Sequence, residues 1–93
     1  MNHPKVSIIT PVYNSSNYIN STINSVLSQT YTNWEWIIVD DLSKDNSVEI
    51  INEFVKKDKR IKLIRSKENL GSGLSRNIAI DNANGTFIAF LDS

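Results

Sequence analysis

Polar side chains that could bind a ligand follow three of the apolar stretches in this 93-residue sequence. Tyr13 follows the first stretch, the acidic pair Asp40 and Asp41 follows the second, and Asp92 follows the last. If these stretches are parallel strands, their carboxyl ends share one edge of a sheet, where open α/β folds bind ligands. Loops from separate strands can then converge on one ligand. The sequence therefore predicts a polar binding site at that edge, with Asp92 well placed for chemistry.

Four short apolar stretches have the composition of strands. They cover residues 5–10, residues 34–40, residues 61–65 and the run that starts at Phe87. The first is rich in β-branched residues and is predicted to stop at Pro11. The second begins with alternation and ends in a continuous apolar run, which is typical of a strand covered on both faces. The last is aromatic and branched, and we predict a buried strand.

Between these strands, apolar residues recur at the spacing of one helical face. The three stripes are Ile19, Ile23, Val26 and Leu27, then Val48, Ile51 and Val55, then Leu74, Ile78 and Ala79. Ser15 or Ser16 is the expected cap of the first helix. Asn84-Gly85 is the expected stop of the third.

Strict alternation of strand and helix predicts a parallel sheet with helices on its faces, joined by right-handed crossovers. The fold class is therefore α/β, a Rossmann-like three-layer α/β/α arrangement with a mainly parallel four-stranded sheet. A chain of this length has room for one domain and one hydrophobic core.

The composition narrows the class of protein further. Hydrophobic residues make up 40% of the chain and charged residues 22%, as in ordinary globular domains. Ten basic and ten acidic residues cancel, which argues against a nucleic-acid partner held by bulk electrostatics. The absence of cysteine excludes disulfides and thiolate ligands. Without a signal-peptide pattern or a membrane-spanning run, a cytoplasmic protein is expected, with attachment at the inner face of the membrane left open.

The common nucleotide-binding loops are absent from the sequence. A dinucleotide fingerprint places Gly-x-Gly-x-x-Gly after the first strand, where this chain has Pro11-Val12-Tyr13-Asn14-Ser15 without glycine. Gly71-Ser72-Gly73 comes two strand–helix units later, with Arg76 in the place of the third glycine. No Gly-Lys-Ser/Thr occurs, which excludes a P-loop.

Six segments, in order, resemble the family 2 glycosyltransferases. They are residues 6–14, residues 29–35, residues 38–43, residues 68–71, residues 75–77 and residues 85–93. Each is weak alone, but together they are highly specific and extend along essentially the whole chain. The resemblance implies the GT-A fold with strand order 3-2-1-4, of which residues 1–93 would form a truncated N-terminal nucleotide-binding half.

The resemblance also implies a function and a set of site residues. Such enzymes transfer a sugar from a nucleotide-sugar donor, usually a UDP- or dTDP-sugar, to an acceptor hydroxyl, usually with inversion. The positions that hold the base and ribose correspond here to Pro11, Tyr13 and Asp41, and Arg76 is expected near the nucleotide. A carboxylate accepts hydrogen bonds from a base N–H or a ribose hydroxyl, and a tyrosine ring offers a stacking face.

The same resemblance implies Mg²⁺ or Mn²⁺ as a cofactor. Asp92-Ser93 is similar to the first two residues of the family's Asp-x-Asp motif, so Asp92 is the expected metal ligand. The general base of the family lies beyond residue 93, as does the half that binds a saccharide or lipid-linked acceptor. No catalytic residue is therefore assigned, and we expect these 93 residues by themselves to be inactive.

Other interpretations remain open from the sequence. Asp41 could simply cap the second helix, Asp40 is a lesser candidate for the ribose contact, and Asp92 could cap a turn. The chain could also be a non-catalytic nucleotide-binding or regulatory module of flavodoxin-like type. Self-association through an exposed cut surface is compatible with either function.

Overall fold

The computed structural model describes residues 4–92, and strands and helices alternate along them. The elements are β1 (Val6–Val12), α1 (Ile19–Ser28), β2 (Trp34–Asp40), α2 (Ser47–Lys57), β3 (Ile61–Arg65), α3 (Ser72–Asp81) and β4 (Phe87–Phe90). Within these residues the strands form one four-stranded sheet in the order β3-β2-β1-β4, and every pairing is parallel. The predicted fold class and strand order are confirmed.

The second strand lies at the centre of the core, and all seven of its residues are buried. Trp34, Trp36 and Ile38 pack with α1 and α2 on one face of the sheet. Ile37 and Val39 point to the other face, where Ala79 of α3 packs. The strand is therefore covered on both faces, as its sequence predicts, and the architecture has three layers.

Pro11 does not end the first strand, contrary to the prediction. β1 continues to Val12 and pairs with β2 up to that residue, whereas its pairing with β4 stops at Ile9. Alternate residues of a strand turn their backbone groups to opposite neighbours, and the Val12 carbonyl faces β2, where it accepts from the Asp41 N–H. The Pro11 nitrogen therefore faces the other side, beyond the β4 ladder, where a missing N–H breaks no hydrogen bond.

The predicted burial of the fourth strand is wrong. All four residues of β4 are exposed, with Phe87 and Phe90 each at 58%. The strand lies at the edge of the sheet and pairs with β1 alone among the described strands. Helix α3 packs mainly on β1 and β2, so it leaves β4 uncovered.

Two helix boundaries also differ from the prediction. Neither Ser15 nor Ser16 caps α1 through its side chain; Tyr18 occupies the N-cap position, and the Ser15 carbonyl accepts from the Tyr18 and Ile19 N–H groups. Helix α3 ends at Asp81, before Asn84-Gly85. Gly85 is explained instead by close approach, because a Cβ there would lie 2.6 Å from Ser7 Oγ.

The face that α3 presents to the sheet is also shifted from the predicted one. Leu74 is 54% exposed, while Ser75 and Ala79 are fully buried. Small side chains four residues apart allow the helix to lie close to the sheet, a pattern that a search for large apolar residues misses. No helix within residues 4–92 combines the length and apolar character that crossing a bilayer requires.

A buried carboxylate joins four segments at the opposite edge of the sheet, near the amino ends of the strands. Glu35 of β2 is 2% exposed and accepts hydrogen bonds from Ser7 Oγ, Lys62 Nζ and the Asn84 N–H. Lys5 lies 3.7 Å away. Nothing in the residue pattern around Glu35 predicts this cluster.

Candidate functional site

A shallow cleft lies at the carboxyl edge of the sheet. Its lining residues are Pro11, Val12, Tyr13, Asp41 and Ser72. The structure therefore brings together three of the residues predicted to bind a nucleotide. The cleft has a volume of about 60 Å³, far below the roughly 300–1,000 Å³ typical of pockets that enclose a small ligand. The described residues by themselves therefore do not enclose a small ligand.

Tyr13 is the exposed aromatic side chain of this cleft. It directly follows β1 and is 46% exposed. Pro11 and Val12 precede it as the last residues of the strand, which fixes the backbone from which the ring projects. An exposed ring on a rigid backbone is suited to stacking on a planar group.

Asp41 is the acidic residue that lines the cleft, and backbone hydrogen bonds hold its carboxylate in place. It is 6% exposed, and its carboxylate accepts from the backbone N–H groups of Leu70 and Gly71 at 2.7 and 2.9 Å. It does not cap the second helix, which was the plainer interpretation; it holds the loop that leads into α3. Because a carboxylate has about four acceptor positions, the group can still accept a hydrogen bond from a ligand.

Ser72, the first residue of α3, also lines the cleft and was not predicted as a site residue. Gly71 has φ of 84°, in the left-handed region that glycine tolerates. This turn directs the backbone N–H of Gly71 toward Asp41 and sets Ser72, the first residue of α3, against the cleft. Only the long-range contact with Asp41 reveals this position.

Asp40 has a different environment from its neighbour. It is fully buried, and its carboxylate accepts from both the backbone N–H and the hydroxyl of Ser43. Its carbonyl accepts from the Ser66 N–H. With no exposed surface of its own, Asp40 shapes the loop after β2, and Asp41 is the better candidate for a ligand contact.

Arg76 and Asp92 form an ion pair, with 3.2 Å between Nη2 and Oδ1. The Arg76 side chain is 36% exposed and that of Asp92 is 81% exposed. Neither lines the cleft in this arrangement. The structure therefore brings these two predicted site residues together: Arg76 lies in the first half of α3, and Asp92 follows the end of β4 by two residues.

The described residues do not by themselves form a metal site. Between residues 4 and 92 no three His, Asp or Glu side chains are grouped as metal ligands. Asp92 supplies one carboxylate, whereas Mg²⁺ requires six oxygen ligands, and Ser93, the second residue of the predicted motif, lies outside the described residues. Asp92 fits the part of a single ligand only.

The sequence matches a known family over nearly its whole length. The model of Glycosyl transferase family 2 covers residues 7–93. An Escherichia coli relative, WfgD, is named as a UDP-Glc:α-D-GlcNAc-diphosphoundecaprenol β-1,3-glucosyltransferase. It is 49% identical over 88 residues, which are 95% of this chain and 34% of the relative. The chain spans about a third of the length of the curated relatives it matches first.

Solved structures of similar proteins have the same fold. Residues 1–349 of S. aureus TarS in complex with UDP-GlcNAc superpose with a TM-score of 0.89 at 35% identity, covering 95% of this chain and 26% of that one. A mannosyltransferase from Pyrobaculum calidifontis in complex with GDP-Man and Mn²⁺ has a TM-score of 0.90 at 23% identity, covering 98% of this chain and 28% of that one. The second likeness concerns the fold alone.

Proposed function

The chain belongs to glycosyl transferase family 2, and from that premise we propose that residues 1–93 form the donor-binding part of a sugar-transferring enzyme. The whole protein would transfer a hexosyl group from a UDP- or dTDP-sugar to an acceptor hydroxyl, with inversion at the sugar carbon. One observation carries this proposal: Pro11, Tyr13 and Asp41 line a single cleft at the carboxyl edge of the sheet.

The chemistry of that cleft suits a uracil or thymine base. Each of these bases carries an N3–H donor at the edge where cytosine carries an acceptor, and an ionised carboxylate only accepts. Asp41 already holds two backbone N–H groups, so its orientation is set before a nucleotide arrives. Tyr13 offers the stacking face. The S. aureus neighbour, in complex with UDP-GlcNAc, supports the choice of base.

The ion pair of Arg76 and Asp92 is suited to the diphosphate end of the donor. Arg76 supplies a cation, and Asp92 supplies one oxygen ligand for a divalent ion. When bound, Mg²⁺ or Mn²⁺ would neutralise the charge of the departing diphosphate. Because Asp92 is 81% exposed, its carboxylate can turn from Arg76 at little cost, and Arg76 is then free to face a phosphate oxygen.

The acceptor is proposed by analogy with the relatives. The acceptor in the name of the E. coli relative is a sugar linked to diphosphoundecaprenol, a lipid-linked saccharide. We propose a saccharide or lipid-linked acceptor for the whole protein, and action in the cytoplasm at the inner face of the membrane.

Calorimetric titration of the chain with nucleoside diphosphates, in the presence and absence of Mn²⁺, tests the proposal. We expect UDP and dTDP to bind and CDP to bind much more weakly. Asp41→Asn should reduce UDP affinity by about 10–100-fold, because a hydrogen bond to a charged group contributes about 1.5–3 kcal/mol. Asp81→Asn, at an exposed position on α3, is the matched control. Equal UDP affinity in Asp41→Asn and the unmodified chain, or no binding of any nucleotide, would contradict the proposal.

A further inference from the structure

Side chains of the loop after β2 and of Ser47, the first residue of α2, bind the backbone of the loop after β1. Consecutive N–H groups of residues 14–16 all donate to side chains of residues 43–47. The three bonds are Asn14 to Ser43 Oγ at 2.9 Å, Ser15 to Ser47 Oγ at 2.9 Å and Ser16 to Asp45 Oδ2 at 3.1 Å. Such a run of side-chain acceptors restrains the backbone of a loop that has no regular structure of its own.

Ser43 links this loop to the buried acid of β2. Its hydroxyl donates to the Asp40 carboxylate, which leaves the oxygen lone pairs free to accept from the Asn14 N–H. The Asp40 carboxylate has no exposed surface, so the hydroxyl has a strong acceptor that cannot turn to solvent. The result is a relay from carboxylate through hydroxyl to backbone amide, with one permitted orientation of the hydroxyl.

The side chain of Asn14 also binds the loop after β2. Its Oδ1 accepts from the Lys44 N–H at 2.8 Å, and its φ of 50° lies in the left-handed region that asparagine tolerates better than most residues. The residue is thus held by both its backbone and its side chain. Since Tyr13 immediately precedes Asn14, these two bonds restrain the backbone on the C-terminal side of Tyr13, as β1 does on its N-terminal side.

We propose that Ser43 is a positioning residue for donor binding. It does not line the cleft, and acts by fixing Tyr13 relative to Asp41, which follows Asp40 directly. This inference rests on the proposed function, because it requires Tyr13 and Asp41 to contact the same nucleotide. Its physical basis is pre-organisation: a ring already in the stacking orientation needs no ordering when the base binds.

Substitution of Ser43 tests the inference against a control of the same chemistry. Ser43→Ala should weaken UDP binding about ten-fold if only a tenth of the molecules retain the competent loop. Ser43→Thr retains the hydroxyl and should restore affinity. Ser7→Ala removes an equivalent relay at the opposite edge, where the Ser7 hydroxyl donates to Glu35 and accepts from the Gly85 N–H. It should lower the melting temperature and leave UDP affinity unchanged.

A spectroscopic measurement reports on Tyr13 itself. The chain has three tyrosines, so fluorine NMR of the chain labelled with 3-fluorotyrosine gives few resonances, and Tyr13→Phe identifies the one of interest. In Ser43→Ala, without nucleotide, this resonance should shift or broaden while the other two stay in place. If Ser43→Ala does not fold, Asn14→Gly keeps the positive φ but removes the bond to Lys44, and the same loss of affinity is expected.

The outcomes separate this inference from the proposed function. If the unmodified chain binds no uridine nucleotide, the proposed function fails. If it binds UDP but Ser43→Ala binds equally well, or Ser43→Thr fails to restore affinity, or Ser7→Ala weakens binding as much as Ser43→Ala, then Ser43 has no positioning role.

Discussion

Ser7 and Glu35 lie directly opposite each other on β1 and β2, and the Ser7 hydroxyl donates to Glu35 Oε2 at 2.6 Å. The same carboxylate accepts from the Asn84 N–H and from Lys62 Nζ, which joins β1, β2, β3 and the turn before β4. A buried charge is tolerated when its acceptor positions are filled in this way. The cluster lies at the edge of the sheet away from the candidate site, so it bears on stability and can be altered separately.

We predict that Glu35→Gln destabilises the fold by about 2–4 kcal/mol, because an amide cannot accept all the hydrogen bonds that the carboxylate accepts. The side chains of Lys62 and Lys5 are 48% and 41% exposed. Water can therefore solvate them in the variant, which limits the loss of stability. Urea denaturation followed by circular dichroism measures the change. Glu53→Gln, on the exposed face of α2 with Lys56 as its partner, should change stability by less than about 1 kcal/mol. Equal effects of the two substitutions would show that Glu35 is not a structural centre.

Three carboxylates of the described residues have depressed pKa values, and acid should unfold the chain mainly through two of them, Glu35 and Asp45. Burial alone raises the pKa of Glu35, but hydrogen bonds from Ser7, Asn84 and Lys62 outweigh it and lower the pKa from 4.5 to about 2. The Ser47 hydroxyl is the main cause that lowers the pKa of Asp45 from 3.8 to about 2. Since the pKa is lower in the folded state, the stabilisation is complete above the unfolded pKa and is lost as pH falls through the folded value.

The melting temperature is therefore expected to be nearly constant down to about pH 5 and to fall steeply between there and about pH 2. The difference in stability between Glu35→Gln and the unmodified chain should shrink over the same interval, because protonation makes Glu35 neutral in the unmodified chain, as glutamine already is in the variant. A difference that stays constant down to the lowest pH would contradict the assigned pKa of Glu35.

We predict that the chain self-associates through β4. Phe87, Ile88 and Phe90 are 58%, 43% and 58% exposed, and the strand carries none of the lysines or prolines that protect sheet edges from pairing. The net charge of zero offers little repulsion between copies. Sedimentation velocity over a range of concentrations should show reversible association. Phe90→Lys should abolish it, whereas Tyr18→Lys, at an exposed aromatic residue before α1, should not. A monomer at every concentration would exclude this surface as an interface.

Much of the sheet was predictable from the sequence because its central strands are specified locally. β2 and β3 have the predicted bounds, and the continuous apolar run at the end of β2 correctly indicated burial on both faces. The prediction failed for β4 because aromatic composition indicates a strand but not what covers it. It failed for Leu74 because the size of a side chain does not say which helix face meets the sheet.

The candidate site was predictable in part for a similar reason. Tyr13 and Asp41 follow strands whose order was correctly predicted, so their convergence follows from the topology. Ser72 and Ser43 were missed because their places depend on hydrogen bonds between residues about 30 positions apart. Such bonds leave no periodic pattern in the sequence.

By itself, the sequence determined the α/β class and the residues that follow the strands at the carboxyl edge, because alternating apolar runs and residue types act locally. The strand order was implied by the family resemblance. Only the tertiary structure decided that Asp41 is held by Leu70 and Gly71, that Arg76 pairs with Asp92, and that β4 stays exposed. These outcomes depend on which polar groups pair with one another, and on which apolar surfaces are covered, once the chain has folded. Local residue patterns do not indicate which of these long-range contacts will form.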